Sequence, residues 1–271
     1  MACVEEFIAD HRGRRGIQAN TAECYRRALR AVGQSADVDE LTPERFHTVA
    51  DERGWSVGTR ASYWTAVAAY SAYRVRRGLA PVDPFDGVRS PRSPDPNPKP
   101  VTAGQLALLQ RLAHARAHSG RANAVPIDEW VTLAAYAGLR CCEIVRVRGE
   151  HLRHTPNGWE LDVPHGKGGS SASIPAHPDV VKLLSRKERG LLYPGVKAVN
   201  VHAAGQRLFS EAGIGGALHR LRHTFATSIY QATKDPFKAQ RLCRHKSLSS
   251  TLSYAKVPDR ELHDAIGGLY R

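Results

Sequence analysis

Four basic residues and one phenol in the second half of this chain have the types and order needed to work on a phosphodiester. Arg140 ends Ala-Gly-Leu-Arg at 137–140, and His219 and Arg222 belong to His-Arg-Leu-Arg-His at 219–223. His245 follows Arg244, and Tyr254 ends Thr-Leu-Ser-Tyr at 251–254. A phenol is a poor nucleophile at neutral pH, so it attacks a phosphodiester only in a strongly electropositive site. Arginines suit that site because they hold non-bridging oxygens in paired contacts. Arg140 also follows Gly138, near a helix start, where backbone N–H groups favour an anion. Glu143, one turn on, can orient a neighbouring cation through a charge-assisted bond. Lys167 lies between glycines at a turn, exposed and able to swing a proton toward a substrate. Taken singly, these are also a surface arginine, a solvated turn lysine and a packing tyrosine; the set and its order carry the reading.

A zinc site at His219 and His223 is the competing chemistry. The metalloprotease pattern places Glu directly after the first His, whereas here Arg220 stands between them and opposes a cation. An anion site is favoured.

The elements that must position these residues are mostly helical. The first 80 residues read as four or five short helices with no strand. Thr21, Tyr25, Leu29 and Val32 share one stripe behind a candidate cap at Asn20, and Thr42 caps a helix opened by Pro43. Tyr63, Val67, Tyr70 and Tyr73 recur at helical spacing after Ser56 or Gly58. Residues 81–101 are rich in proline and read as a linker, and residues 102–271 form a second domain. There, 102–117 and 128–137 are expected as helices, the second interrupted by Gly138. Residues 159–163 and 171–174 are expected as two strands joined by the glycine-rich turn that carries Lys167. The rest reads as helix, including 217–233 with Leu218, Leu221, Phe225 and Ile229 as its buried stripe. The fold class is therefore mainly α, with a small antiparallel sheet in a mixed α+β second domain.

Composition points the same way. The chain carries a formal charge of +13, and the surplus lies in residues 101–271, with 24 Lys+Arg against 13 Asp+Glu. Such a balance suits a polyanion. Five cysteines without a Cys-x-x-Cys pair argue against a disulfide framework or zinc ribbon and fit a reducing, cytoplasmic setting. No apolar run has membrane-span length, and the N-terminus does not read as a signal peptide.

As a set, these residues resemble the tyrosine recombinases, or phage integrases. Ala-x-x-Gly-Leu-Arg-x-x-Glu is matched from Ala135 to Glu143, and His-x-Leu-Arg-His-Thr-Phe-Ala-Thr from His219 to Thr227. His245 matches the third basic position, Tyr254 follows it by nine residues, and Lys167 matches the lysine of a β-hairpin. The resemblance covers nearly the whole chain. It implies a helical, SAM-like core-binding domain followed by a catalytic domain. In the catalytic domain Tyr254 is the nucleophile of a 3′-phosphotyrosyl intermediate, with Arg140, Lys167, His219, Arg222 and His245 around the phosphate and Glu143 supporting them. Neither metal nor cofactor is expected. The implied partners are double-stranded DNA at core-type attachment sites, three further copies of the chain in a tetramer on two sites, and a directionality factor.

Arg60, Arg74, Arg76 and Arg77 are candidate DNA contacts of the first domain, or simply a solvated face. Leu262, Ile266 and Leu269 form a terminal apolar stripe that could dock on a neighbour or on its own core. The implied role is integration and excision of a phage or mobile element on bacterial DNA. The alternatives are Xer-like dimer resolution, transposition, or, in another class, a DNA-binding regulator without catalysis. Three departures stand out. Arg244 replaces a helix-ending glycine, at about 1 kcal/mol if the backbone there is left-handed. The hairpin lacks further basic residues after Lys167, and no room is left for an N-terminal arm-binding domain.

Overall fold

Helix-starting chemistry is explicit in the first part of the chain. The computed structural model describes residues 2–92, 99–121, 124–164 and 172–245, and the chain divides into two compact units, Met1–Asp95 and Pro96–Arg271. The first unit holds α1 (Ala2–Arg15), α2 (Ala19–Gly33), α3 (Pro43–Glu52) and α4 (Val57–Arg76). Thr42 Oγ1 accepts from the Arg45 N–H at 3.3 Å, and Ser56 Oγ accepts from the Thr59 N–H at 3.2 Å, so both helices have the caps their sequences call for. The expected cap at Asn20 is corrected. The Gln18 carbonyl already accepts from Thr21 and Ala22, which starts α2 at Ala19 and leaves Asn20 inside its first turn.

An aromatic core closes this unit. Phe7 meets Tyr70 edge-on at 5.4 Å and Phe46 meets Trp64 at 5.3 Å. Val67, Tyr70 and Tyr73 are buried as their spacing required. Tyr63 stays at the edge, packed on Trp55.

The second unit comprises α5 (Ala103–Ala117), α6 (Ile127–Tyr136), α7 (Cys141–Ile144), β1 (Leu152–Thr155), β2 (Gly158–Val163), β3 (Ala172–Pro175), α8 (Pro178–Leu184), α9 (Ala198–Glu211), α10 (His219–Thr233) and α11 (Pro236–Cys243). Thr102 and Gln105 form a reciprocal capping box at the start of α5. The central helix is α6, with Trp130, Val131, Leu133 and Ala134 fully buried against α5, α8, α9 and α10.

The sheet runs β1-β2-β3, antiparallel throughout, with Leu161 paired to Leu152 on one side and Ile174 on the other. Strand β1 escaped the sequence reading because Leu152 is its only large apolar residue. It is an edge strand held by Arg153, whose Nε lies 2.5 Å from Asp162 Oδ2 on β2, rather than by burial. The stripe expected on α10 needs correction too. Leu218 and Leu221 are buried, but the next positions facing inward are Arg222 and Ala226, while Phe225 and Ile229 are half-buried. The molecule is thus mainly helical with one small antiparallel sheet. Among the described residues no helix is long and apolar enough to cross a membrane.

Candidate active site

Gly138 makes the site. It follows the end of α6 with φ +58°, and a Cβ built there would lie 2.5 Å from Phe225 Cδ1 of α10. Any side chain would meet both a left-handed backbone and a ring it cannot pass. The turn directs the Gly138 carbonyl to two arginines, accepting from Arg222 Nη1 and, at 3.0 Å, from Arg244 Nη2. Arg140 then opens α7. Its N–H donates to Glu143 Oε2 at 2.9 Å and its Nη1 to Glu143 Oε1 at 2.6 Å.

Glu143 is the hub. Its side chain is 1 % exposed and is shared by Arg140, by Arg244 at 3.1 Å and by Arg222 at 3.9 Å. Burial alone would raise its pKa. Arg244, the Arg140 N–H, and the charges of Arg140 and Arg222 outweigh that and hold it below the usual carboxylate range. Arg222 is 2 % exposed, and its Nη2 donates to the Cys243 carbonyl at the end of α11. Burial, then Arg140 and Arg244, pull its pKa down to about 10, which leaves it cationic at neutral pH.

The histidines complete the cluster. His219 opens α10, and its ring meets that of His223 edge-on at 4.6 Å. Burial, followed by Arg222 and Arg140, lowers the His219 pKa. Burial and then His219 and Arg222 push His223 to about 4. His245 follows α11 and is also pushed to about 4, by burial and then by Arg222, Arg140, Arg244 and His223. Its backbone is fixed by Gln240, whose carbonyl accepts from the His245 N–H at 3.0 Å. A neutral imidazole can take a proton from a phenol or donate an N–H to a phosphate oxygen.

Arg140, Glu143, His219, Arg222 and His245 are therefore brought together. Lys167 and Tyr254 lie outside the described residues, as do Leu262, Ile266 and Leu269. Arg60, Arg74, Arg76 and Arg77 belong to the first unit, and three of the four are engaged. Arg60 holds Asp51 at 2.6 Å and the Trp55 carbonyl at 2.9 Å, Arg74 is turned onto Asp39, and Arg76 reaches Asp10 at 3.2 Å. Arg77 is exposed and has no ion-pair partner among the described residues.

The sequence reading missed two roles. Arg220 is not part of the cluster: its Nε donates to the Lys99 carbonyl at 2.7 Å, and Thr224 Oγ1 accepts from the Val101 N–H, so α10 fastens the start of the second unit. Arg244 does join the cluster, although its neighbour-by-neighbour position signalled only a backbone penalty.

Among the described residues, one group has donor atoms close enough together for a metal ion: His114, His118 and Asp128. It stands at the N-terminal end of α6, on the order of 15 Å along the helix from Gly138. Its imidazoles are largely exposed, and the cleft it lines carries both signs of charge, Asp128, Glu129 and Asp179 beside Lys182, Arg186 and Lys187.

Comparison with known proteins gives the family and the fold. Residues 106–261 match the phage integrase family. The tyrosine recombinase XerC of Chromohalobacter salexigens is 27 % identical, over 97 % of this chain and 94 % of its own. XerC of Erythrobacter litoralis is also 27 % identical, over 94 % of this chain and 88 % of its own. Among solved structures, the Tn1549 transposon integrase in complex with transposon right end DNA superposes with a TM-score of 0.69 at 18 % identity, covering 99 % of both chains. A lambda integrase dimer bound to a core site gives 0.69 at 16 % identity, over 96 % of this chain and 77 % of that one. At those identities the two structures share the fold.

Proposed function

The chain belongs to the phage integrase family and is a site-specific DNA recombinase that cuts and rejoins strands; we propose that the Arg140–Arg222 cluster holds the scissile phosphate and that Tyr254 attacks it. One observation carries this placement. Among the described residues three buried or half-buried guanidiniums share the one carboxylate of Glu143, and a surplus of positive charge inside a protein calls for an anion.

In the proposed reaction the Tyr254 oxygen forms a bond to phosphorus as the 5′ oxygen leaves, giving a 3′-phosphotyrosyl link and a 5′-hydroxyl. Arg140 and Arg222 bind the non-bridging oxygens and stabilise charge that grows in the transition state. His219, held neutral, takes the phenol proton, and Lys167 delivers a proton to the leaving oxygen. His245 donates an N–H to the phosphate. The link conserves the energy of the phosphodiester, so a new 5′-hydroxyl restores the strand by the same steps in reverse.

The first unit is proposed as a second grip on core-type sites, and a homotetramer on two duplexes as the working assembly, with a directionality factor choosing the outcome. Integration and excision of a mobile element is the role we infer. The full-length likeness to two XerC proteins makes chromosome-dimer resolution the second reading. The two are separated by the DNA recovered in recombinant form from cells, an attachment-site pair or a chromosomal repeat.

A duplex nicked beside the cleavage position traps the covalent intermediate. The unaltered protein should yield a protein–DNA adduct and Tyr254→Phe none, with DNA affinity retained. An adduct formed by the phenylalanine variant would overturn the nucleophile assignment.

A further inference from the structure

Arg244 occupies a position that helix geometry reserves for glycine. Its N–H donates to the Arg241 carbonyl and that of His245 to the Gln240 carbonyl, the paired bonds of a Schellman turn, with Arg244 at φ 56°. A β-carbon-bearing side chain is strained there, as it is at Lys234, so any role for Arg244 has to come from what its guanidinium touches. Its donors are nearly all occupied. Nη1 bonds the Ala137 carbonyl at 3.2 Å and the Leu242 carbonyl at 3.1 Å, and Nη2 bonds the Gly138 carbonyl at 3.0 Å and Glu143 Oε2 at 3.1 Å. With 9 % of the side chain exposed and both terminal nitrogens committed, it has little left for a phosphate oxygen.

What it holds is more telling. The Gly138 carbonyl also fixes Arg222, Glu143 also fixes Arg140, and the turn that Arg244 forms fixes His245. One side chain thus joins the end of α11 to the break between α6 and α7, where the other phosphate-directed residues are anchored.

We propose that Arg244 is a positioning residue that clamps Gly138 and Glu143 so that Arg140, Arg222 and His245 keep one geometry around the phosphate. This rests on the phosphate site proposed above. The clamp acts on rate rather than on DNA affinity, because misplacement of reacting groups by an ångström slows chemistry while most of the DNA interface is untouched.

The test compares Arg244→Gly and Arg244→Lys with the unaltered full chain, measuring single-turnover cleavage of the nicked duplex and the Kd for the same DNA. Glycine suits the left-handed backbone, so relief of strain alone would leave catalysis intact or improve it. The clamp instead requires cleavage at least tenfold slower at a Kd changed by less than twofold, with lysine recovering part of the rate. In a Glu143→Gln background, adding Arg244→Gly should slow cleavage by a smaller factor than it does alone, since one of the two shared anchors is already gone. Cleavage by Arg244→Gly within twofold of the unaltered protein overturns the proposal, as does a parallel loss of rate, affinity and folded circular dichroism in the lysine variant. If the glycine variant does not fold, Arg244→Lys decides: more than twofold slower at unchanged Kd supports the clamp, and twofold or less removes it. No adduct from the unaltered protein would instead remove the phosphate-site reading, and the clamp with it.

Discussion

The arginines of the first unit and those of the Glu143 cluster in the second are partnered in opposite ways. In the first unit Arg26, Arg45, Arg60 and Arg76 each face a different acid, Glu5, Glu52, Asp51 and Asp10, at 2.8, 3.1, 2.6 and 3.2 Å and near solvent. In the second unit Arg140, Arg222 and Arg244 converge on Glu143, the one acid they share among the described residues, and two of the three are almost fully withdrawn from water. Exposed one-to-one pairs are worth little and ask for no further partner. A buried cluster short of negative charge is different, because the missing anion is part of what makes the arrangement tolerable. The surplus of basic residues announces a polyanion, but the local ratio of cations to carboxylates says where its phosphate goes.

The largest effects should fall on the shared cluster. Arg222→Ala should slow single-turnover cleavage by roughly 10²–10³-fold, since one oxyanion-type donor is worth about 3–4 kcal/mol in such sites. Arg222→Lys, which keeps the charge but loses the fork between Gly138 and Cys243, should recover only a small part. Arg60→Ala measured alongside should leave cleavage of bound DNA within a few-fold. An equal loss in both would break the contrast between the units. Glu143→Gln removes the counter-charge that three guanidiniums share, and chemical denaturation should report a loss of about 3–5 kcal/mol. Little change in stability would mean that Glu143 is not the hub its distances describe.

Acid should find the same cluster. His223 and His245 titrate near 4 in the folded chain, against an ordinary value of 6.5. Between those values the unfolded chain binds protons that the folded chain refuses, so their contribution to stability falls as pH drops from about 6.5 toward 4 and levels off below. Sulfate or a DNA duplex should blunt the decline, because an anion among the guanidiniums makes protonated imidazole tolerable. Urea denaturation at steps of pH, with and without sulfate, gives the answer. A flat profile between 6.5 and 4 would count against burial of these rings.

Much of this was readable before any coordinates. Arg140, His219, Arg222 and His245 could be picked out because their order and spacing resemble a family pattern, whereas no local signal beside any one of them would have sufficed. Thr42, Ser56 and Thr102 marked helix starts because capping depends on neighbours only three residues away. What escaped was whatever depends on long-range partners. Strand β1 is held by Arg153 across to Asp162, which no periodicity within four residues can show. Arg222 takes an inward-facing position of α10 outside the apolar stripe expected there, because its satisfaction comes from the carbonyls of Gly138 and Cys243. Arg244 showed its strain but not its purpose, since Ala137, Gly138 and Glu143 lie more than a hundred residues away.

The smallest effect sharpens the comparison within the first unit. Arg77 has no ion-pair partner among the described residues, whereas Arg60 is bound to Asp51 and the Trp55 carbonyl. A side chain already committed must break its own pairs before it meets a phosphate, and its net gain is correspondingly small. Arg77→Ala should therefore weaken DNA binding about equally across sequences and reduce the slope of log K against log salt by about one. Arg60→Ala should leave that slope in place and appear instead as a stability loss of about 0.2–1 kcal/mol. The two variants need only salt titrations of DNA affinity and a melting curve. A lost unit of slope for Arg60 and none for Arg77 would show that DNA recruits paired arginines in preference to free ones, and that pairing in the unbound chain does not mark its contacts.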